Sequence, residues 1–362
     1  MRPEPAAIDR AVALLQAGEL VAFPTETVYG LGADAANPAA VGRIFAAKGR
    51  PADHPLIVHL AGAGCLDRWA RDIPGRAWEL AEAFWPGPLT LILKRTPAVP
   101  TAVTGGQDSV GLRVPAHPLA LDLLRAYAEA GGGVAGMCGV AAPSANRFGR
   151  ISPTEATHVR EELGDSVPLV LDGGRCPVGI ESTILDLTRD AALPPRLLRP
   201  GRVTPEQIAA VIGVLPETVT RSSAEAPPRV AGSLAAHYAP STPLRLVAPT
   251  RLGEVIDILR ATARRCAVLH YGSLPASVGT PHASRRLPAD PRGYARALYA
   301  ALRELDQTAA ELIVVEELPA TPAWAAVADR LQRAAAGAGM QAAPSGFPRW
   351  AAVAATDPAT TR

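Results

Sequence analysis

Lysine is nearly missing from this chain. Of its 36 lysine and arginine residues only Lys48 and Lys94 are lysines, so arginine is the default cation. A lysine between Ala47 and Gly49 marks a place that wants a compact ammonium rather than a planar fork; a solvated cation closing a helix is the plainer reading. Cysteine is scarce as well. Cys65, Cys138, Cys176 and Cys266 lie far apart, with no Cys-x-x-Cys and no His pair beside them. That argues against a zinc site or a disulfide framework and for a reducing cytosol. No apolar run reaches membrane-spanning length, and Met1-Arg2-Pro3-Glu4-Pro5 leads into an amphipathic helix rather than a signal peptide. A dominant charge is absent too: the net charge is +2, too balanced to announce nucleic-acid binding without a local patch. Nothing matches Gly-x4-Gly-Lys-Ser/Thr, so any ATP is held otherwise than in a P-loop. The expectation is a soluble cytoplasmic protein with no membrane partner.

What is present is ample for two folded domains. The 362 residues are 48% hydrophobic and 19% charged, enough to bury a core. Helical periodicity at Ile8–Ala17, Pro38–Lys48, Pro74–Phe84 and Pro118–Ala130 interleaves with strand-like runs at Leu20–Phe23, Leu56–Leu60, Leu89–Lys94, Ser109–Val114, Val167–Leu171 and Ser182–Leu187. Two capping boxes are expected, Ser152-Pro153-Thr154-Glu155 and Thr204-Pro205-Glu206-Gln207. Periodicity vanishes from Pro216 to Pro243, where Ser, Ala and Pro accumulate, which marks a linker. Beyond it, strands at Leu244–Val247, Cys266–Tyr271 and Leu312–Glu316 alternate with helices at Leu252–Arg264, Arg292–Leu305 and Ala323–Ala335. The class is α/β with a mixed sheet, then a small three-layer α/β unit. No Gly-x-Gly-x-x-Gly follows those later strands, so a nucleotide site there has little support. The expected division is 8–205, a terminal helix and linker over 206–243 whose part from 216 to 243 folds back across the first-domain cavity as a lid with Tyr238 over it, a second domain over 244–337, and a mobile tail over 338–362.

Polar residues gather just past strand ends of the first domain, where open α/β sheets hold ligands: Thr27, His59, Arg113, Ser144, Asn146, Ser182 and Arg199. Lys48, Arg50, Arg113 and Arg199 supply cations with few carboxylates nearby, which suits a polyanion such as a nucleoside triphosphate. Ser152 at a helix start offers a phosphate site. Each has a plainer reading. Ser152 is a cap, His59 a satisfied semi-buried histidine, Arg199 a surface arginine, Glu26 the end of a turn, and Ser144-Ala145-Asn146 a locally bonded turn. Ser144 also lacks the Gly-x-Ser-x-Gly elbow of a nucleophile. The clustering of so many at strand ends of one domain favours a site.

PTETVYGLG (24–32), KGRP (48–51), PLIVH (55–59), WPGPLT (85–90), VGLRVPAHP (110–118), APSAN (142–146), DGG (172–174), GIESTI (179–184) and LLRPG (197–201) occur in this order. With them the chain resembles the Sua5/YciO/YrdC family, in its two-domain Sua5 form. The likeness is strong over 8–205 and continues through His237-Tyr238-Ala239-Pro240 and Asp329-Arg330-Leu331. It implies a YrdC-like twisted mixed sheet with flanking helices, then a linker and a smaller three-layer, Rossmann-like Sua5 domain. It also implies a nucleotidyltransferase that joins L-threonine, bicarbonate (or CO2) and ATP into L-threonylcarbamoyladenylate, with Mg2+ beside the ATP. The product is passed to the machinery that builds N6-threonylcarbamoyladenosine in tRNA, with at most a weak tRNA contact. By motif, Lys48 and Arg50 would be catalytic, near the phosphates, and Thr27, His59, Arg113, Ala142 and Ser182 would line the threonine pocket. Arg50, His54, Ser109, Ser144, Asn146, Ser152, Arg199 and Tyr238 would approach ATP. The metal's ligands are not assigned. His54 stands where the family has Asn, and Gly131–Gly139 looks like an insertion. Two rivals remain: a carbamoyl-transfer domain of the hydrogenase-maturation type, against which the isolated cysteines argue, and a non-catalytic RNA-binding protein.

Overall fold

The computed structural model describes residues 5–219, 226–274 and 279–338. The first part of the chain forms strands β1 (Val21–Phe23), β2 (Gly30–Asp34), β3 (Ile57–His59), β4 (Leu89–Lys94), β5 (Ser109–Arg113), β6 (Val140–Ala141), β7 (Leu169–Val170), β8 (Thr183–Asp186), β9 (Arg196–Arg199) and β10 (Glu217–Thr218). They make one mixed sheet in the order β10-β9-β8-β4-β5-β3-β6-β2-β1-β7. Its helices are α1 (Pro5–Gln16), α2 (Pro38–Lys48), α3 (Leu66–Trp69), α4 (Gly75–Phe84), α5 (Thr101–Thr104), α6 (Pro118–Glu129), α7 (Ala156–Leu163) and α8 (Pro205–Ile212).

Alternation along β1 shows how the layers form. Leu20 and Ala22 join the core beneath α2, with Val41, Ile44 and Phe45, while Val21 and Phe23 join the core beneath α1 and α6, with Leu15, Leu119 and Leu123. Helix α2 starts where Asn37 Oδ1 accepts from the amides of Ala39 and Ala40 and ends where Gly49 turns left-handed at φ 60°. The Thr204 box is present as expected: its hydroxyl accepts from Gln207 N, and Gln207 Oε1 from Thr204 N.

The Ser152 box is not. Helix α7 begins only at Ala156, behind Glu155, which makes no side-chain cap. The carbonyls of Pro153 and Thr154, which a helix from Ser152 would need, accept instead from Tyr29 N and Cys176 N at 2.9 and 3.0 Å. Tertiary partners outbid the local signal, and the Ser152 hydroxyl donates to Glu181. The Gly131–Gly139 segment is a loop between α6 and β6, where Gly133 N donates to the Tyr127 hydroxyl and Cys138 Sγ to Gly132 O. The four thiols are free.

The second sheet is parallel throughout, in the order β11 (Leu244–Val247), β14 (Leu312–Glu316), β12 (Cys266–His270), β13 (Ala283–Arg286). The edge strand β13 is an addition to the three read from sequence, because Ala283-Ser284-Arg285-Arg286 carries no apolar alternation. Helix α9 (Leu252–Ala261) covers one face with Val255, Ile256 and Leu259 against Cys266, Val268 and Val314. Helices α10 (Pro291–Asp306) and α11 (Ala325–Gly337) cover the other, with Leu298, Tyr299 and Leu331 against Leu269, Ile313 and Val315. The tail expected over 338–362 lies outside the described residues beyond Ala338. Among the described residues no helix is long and apolar enough to cross a membrane.

The two sheets share a core: Val28, Ile151 and Ile180 pack with Tyr238, Leu298 and Tyr299. Around it run Arg303–Glu162 at 2.6 Å and Arg150–Asp306 at 3.4 Å, and Asp306 also accepts from the amides of Ser241 and Thr242. Gly179 permits the contact. Its φ is +84°, and a Cβ there would lie 2.5 Å from Ala295 O and from Arg296 Cα on α10. Gly179→Ala is expected to lower unfolding stability by about 1–3 kcal/mol, read as an earlier midpoint in urea. An unchanged midpoint would mean that α10 is not seated against this turn.

Candidate active site

Strand directions bring the polar clusters together. β3 and β5 run parallel with His59 opposite Arg113. β4 runs antiparallel to β5, and β8 parallel to β4, so the start of β8, just after Ser182, comes to the same end. β9 returns antiparallel and sets Arg199 opposite Ile184. Ala142 follows β6, and Ser144 bridges to Gly30. The result is one cavity lined by Thr27, Arg50, His59, Arg113, Ala142, Ser144, Ser182, Arg199 and Tyr238 among the residues expected, with Thr25, Glu181, Gly232 and His237 beside them.

Each cation is fastened. Arg113 donates to Glu26 Oε1 at 2.6 Å and to Gly87 O, and Glu26 Oε2 accepts from Ala116 N. Glu26 therefore orients Arg113 rather than merely ending a turn. Arg199 donates through Nε to Ser182 O, through one terminal nitrogen to Ser182 Oγ and through the other to Ala231 O. Ser182 Oγ also shares a 2.8 Å bond with Thr90 Oγ1. Arg50 reaches Pro55 O and lies 5.6 Å above the Phe148 ring, and burial lowers its guanidinium to about 10. Several polar atoms of the lining are buried yet unpartnered within the protein: Arg50 Nε, His59 Nδ1, His237 Nδ1 and the Tyr238 hydroxyl. Buried polar groups are ordinarily satisfied, so this set is built to meet a ligand.

Five expected residues sit outside that lining. Lys48 is buried and its ammonium donates to Ser144 O at 2.6 Å and to Asn146 O, so it holds the 144–146 turn from beneath. Burial, then the nearby Arg50, pushes its pKa well down. Asn146 ties Arg147 O and Arg150 O through its side-chain amide. His54 sets its ring edge-on to Phe148 at 5.2 Å. Ser109 borders a neighbouring cleft with Gln107, Arg229 and Val230. Ser152 binds Glu181 Oε1 at 2.6 Å.

The segment after 226 lies over the first sheet. Val230 packs on Ile92 and Ile184, Arg229 N donates to Gln107 Oε1, and the Arg229 guanidinium reaches Gly105 O and Asp53. Tyr238 follows, buried and at φ 61°, a region bulky residues rarely enter. A Cβ at Gly232 would meet its hydroxyl at 2.1 Å. Glu26, Glu181 and His237 were not among the expected site residues. Glu26 and Glu181 lie inside quoted motifs, but that each would face an arginine is a fact of packing.

Burial, with Arg113 adding to it, drives His59 down to about 3, and burial does the same for His237. Both rings are neutral in the fold. An unfolded histidine takes up a proton near pH 6.5, so below that pH the unfolded chain binds more protons and stability falls as pH falls. The expected loss is about 1.4 kcal/mol per pH unit per histidine between roughly pH 6 and 4, read by urea unfolding. A midpoint constant over that range would show the rings protonated in the fold.

Two family models match the chain. Residues 13–201 match the Sua5/YciO/YrdC family model, described as "Telomere recombination". Residues 203–336 match the model described as "Threonylcarbamoyl-AMP synthase, C-terminal domain". The chain is 41% identical over 336 residues to the threonylcarbamoyl-AMP synthase of Bacillus subtilis (strain 168), covering 91% of this chain and 93% of that one. It is 40% identical over 335 residues to that of Pyrococcus abyssi (strain GE5 / Orsay), covering 90% and 92%. The crystal structure of P. abyssi Sua5 complexed with L-threonine superposes with a TM-score of 0.82 at 39% identity, covering 93% of this chain and 96% of that one.

Proposed function

The chain belongs to the Sua5/YciO/YrdC family, and we infer that it makes L-threonylcarbamoyladenylate from L-threonine, bicarbonate (or CO2) and ATP, releasing pyrophosphate. One observation carries the reading: the arginine-lined cavity with its unpartnered buried polar atoms, in a chain similar over nine-tenths of its length to threonylcarbamoyl-AMP synthases. The product serves N6-threonylcarbamoyladenosine formation in tRNA, in the cytoplasm.

Arg113, aimed by Glu26, takes the threonine carboxylate; Thr27, His59, Ser182 and the Ala142 backbone enclose the rest of the amino acid. His59, held neutral, meets the hydroxyl or amine without adding charge. The threonine amine, in its neutral form, captures CO2 as a carbamate and releases a proton to solvent. A carbamate oxygen attacks the ATP α-phosphate in line, the bond to the β-phosphate breaks, and pyrophosphate leaves. Arg50 and Arg199, with the 144–146 turn that Lys48 holds, face the nucleotide and offset its charge. Among the described residues no three His, Cys, Asp or Glu cluster for a metal, and Glu26 and Glu181 are engaged by arginines. A Mg2+ ion would then be carried by the triphosphate oxygens and would offset part of their charge.

The segment from 226 to 243 acts as a lid, with Tyr238 over the nucleotide, shielding a labile acyl-adenylate from water. Its tethers at Arg229 and Ala231 and the strained Tyr238 backbone support that role. A purely RNA-binding role fits less well, because Arg50, Arg113 and Arg199 are buried rather than spread on an open face.

The decisive experiment is pyrophosphate release that needs threonine and bicarbonate together; release indifferent to either would sink the assignment. Lys48→Ala should cut that rate about 10²–10³-fold by freeing the Ser144–Asn146 turn, and Lys48→Arg should recover little, since a fork does not fit between two carbonyls. More than a tenth of the rate surviving in Lys48→Ala would count against it. Arg113→Lys, chosen because Arg113→Ala leaves Glu26 buried and unpaired, should weaken threonine binding about tenfold or more with a far smaller effect on ATP. Calorimetry showing equal losses would mean the amino acid lies elsewhere.

A further inference from the structure

Asp329-Arg330-Leu331 is a second-domain motif with no part in the reaction as derived above. In the fold it lies against the cavity wall. Arg330 is wholly buried, and its Nε donates to Glu181 Oε2 at 2.7 Å. One terminal nitrogen binds Asp329, and the other reaches Pro200 O at 3.1 Å. The guanidinium carbon stands 5.3 Å over the Tyr238 ring. Glu181, 6% exposed, also accepts from Ser152 and from the Tyr299 hydroxyl at 3.0 Å. Burial alone would raise its carboxyl, yet Arg330 and Arg199 hold it down at about 2.

We propose that Arg330 is a positioning residue for the nucleotide: it cancels the Glu181 charge in the cavity wall and holds the Tyr238 lid over the same place. The inference rests on the reading that this cavity takes ATP. Glu181 is the only acidic side chain among the residues described as lining it. A bare carboxylate there would repel a triphosphate in a medium where charges are poorly screened and would compete for Arg199. An arginine stacked on Tyr238 does a second thing that neutralisation alone does not require. The same turn of α11 also grips the lid directly: Arg333, ion-paired to Asp329, accepts His237 N at its carbonyl and donates to Leu234 O. One helix of the second domain thus sets both a wall charge and the covering segment. No nucleotide motif in that domain is needed for it to govern the site.

The full-length protein with Arg330→Met, with Glu181→Gln and with both substitutions tests this by calorimetry with ATP and with threonine, folding being checked by thermal unfolding. Arg330→Met is expected to weaken ATP about tenfold or more while threonine stays within about twofold. Glu181→Gln, which leaves Arg330 unneutralised, should tighten ATP about threefold, and the double variant should return to within about threefold of the parent. Equal loss of both ligands in Arg330→Met would show a merely structural pair, and a double variant as weak as Arg330→Met would show that the charge is not the cause. Either overturns the proposal. If Arg330→Met does not fold, Glu181→Gln decides: ATP weakened tenfold means the carboxylate itself is needed, and the proposal falls. An unsubstituted protein that binds neither ligand would remove the functional reading itself.

Discussion

A carboxylate can be buried among arginines only when each of its lone pairs is met, because an uncompensated charge in a dry interior costs several kcal/mol. Glu181 imposes that condition on the whole molecule. Its partners are Ser152 in a loop of the first sheet, Tyr299 on α10 and Arg330 on α11, segments far apart in the chain. Meeting all of them at once seats the second domain, draws α11 against the cavity wall and brings Arg330 onto the face of the Tyr238 ring. It also decides local structure, since Ser152, engaged by Glu181, starts no helix. Gly179, two residues upstream, must let α10 approach closely enough for Tyr299 to reach.

Across the cavity the Glu26–Arg113 pair obeys the same rule on a smaller scale. Arg113 could point in several directions from the end of β5, but Glu26 and Gly87 O hold it in one. Arg199 is fixed through all three nitrogens, and Lys48 is spent on two carbonyls. The site is thus a set of charges oriented before any ligand arrives, which is how a protein stabilises developing charge without reorganising at the moment of reaction. The atoms left unpartnered, His59 Nδ1 and the Tyr238 hydroxyl among them, mark where that preparation stops and a ligand must continue it.

Much was legible in the chain itself. Apolar periodicity located most helices and strands, and Thr204-x-x-Gln207 announced a cap that the fold contains. The scarcity of lysine singled out Lys48, and the motif order carried the family. These are local or linear signals: a helix face, a cap or a motif is written in residues a few positions apart. The strands β2, β6, β9, β10 and β13 and the loop at Ser152 escaped because each is shaped by something outside its own segment, a neighbouring strand for the strands and Tyr29, Cys176 and Glu181 for the loop.

What the sequence determined alone was therefore the class, most of the elements, the family and most of the side chains that meet in the cavity. Only the tertiary structure decided what those side chains do to one another. Lys48 reads as a free cation in the chain and is a buried anchor in the fold. Glu181 reads as one more residue of a motif and becomes the meeting point of two domains. Arg330 lies 149 positions beyond it, and no period or spacing spans such a distance. Burial strengthens a charge pair and forbids a lone one, and burial exists only once the sheets and helices have closed.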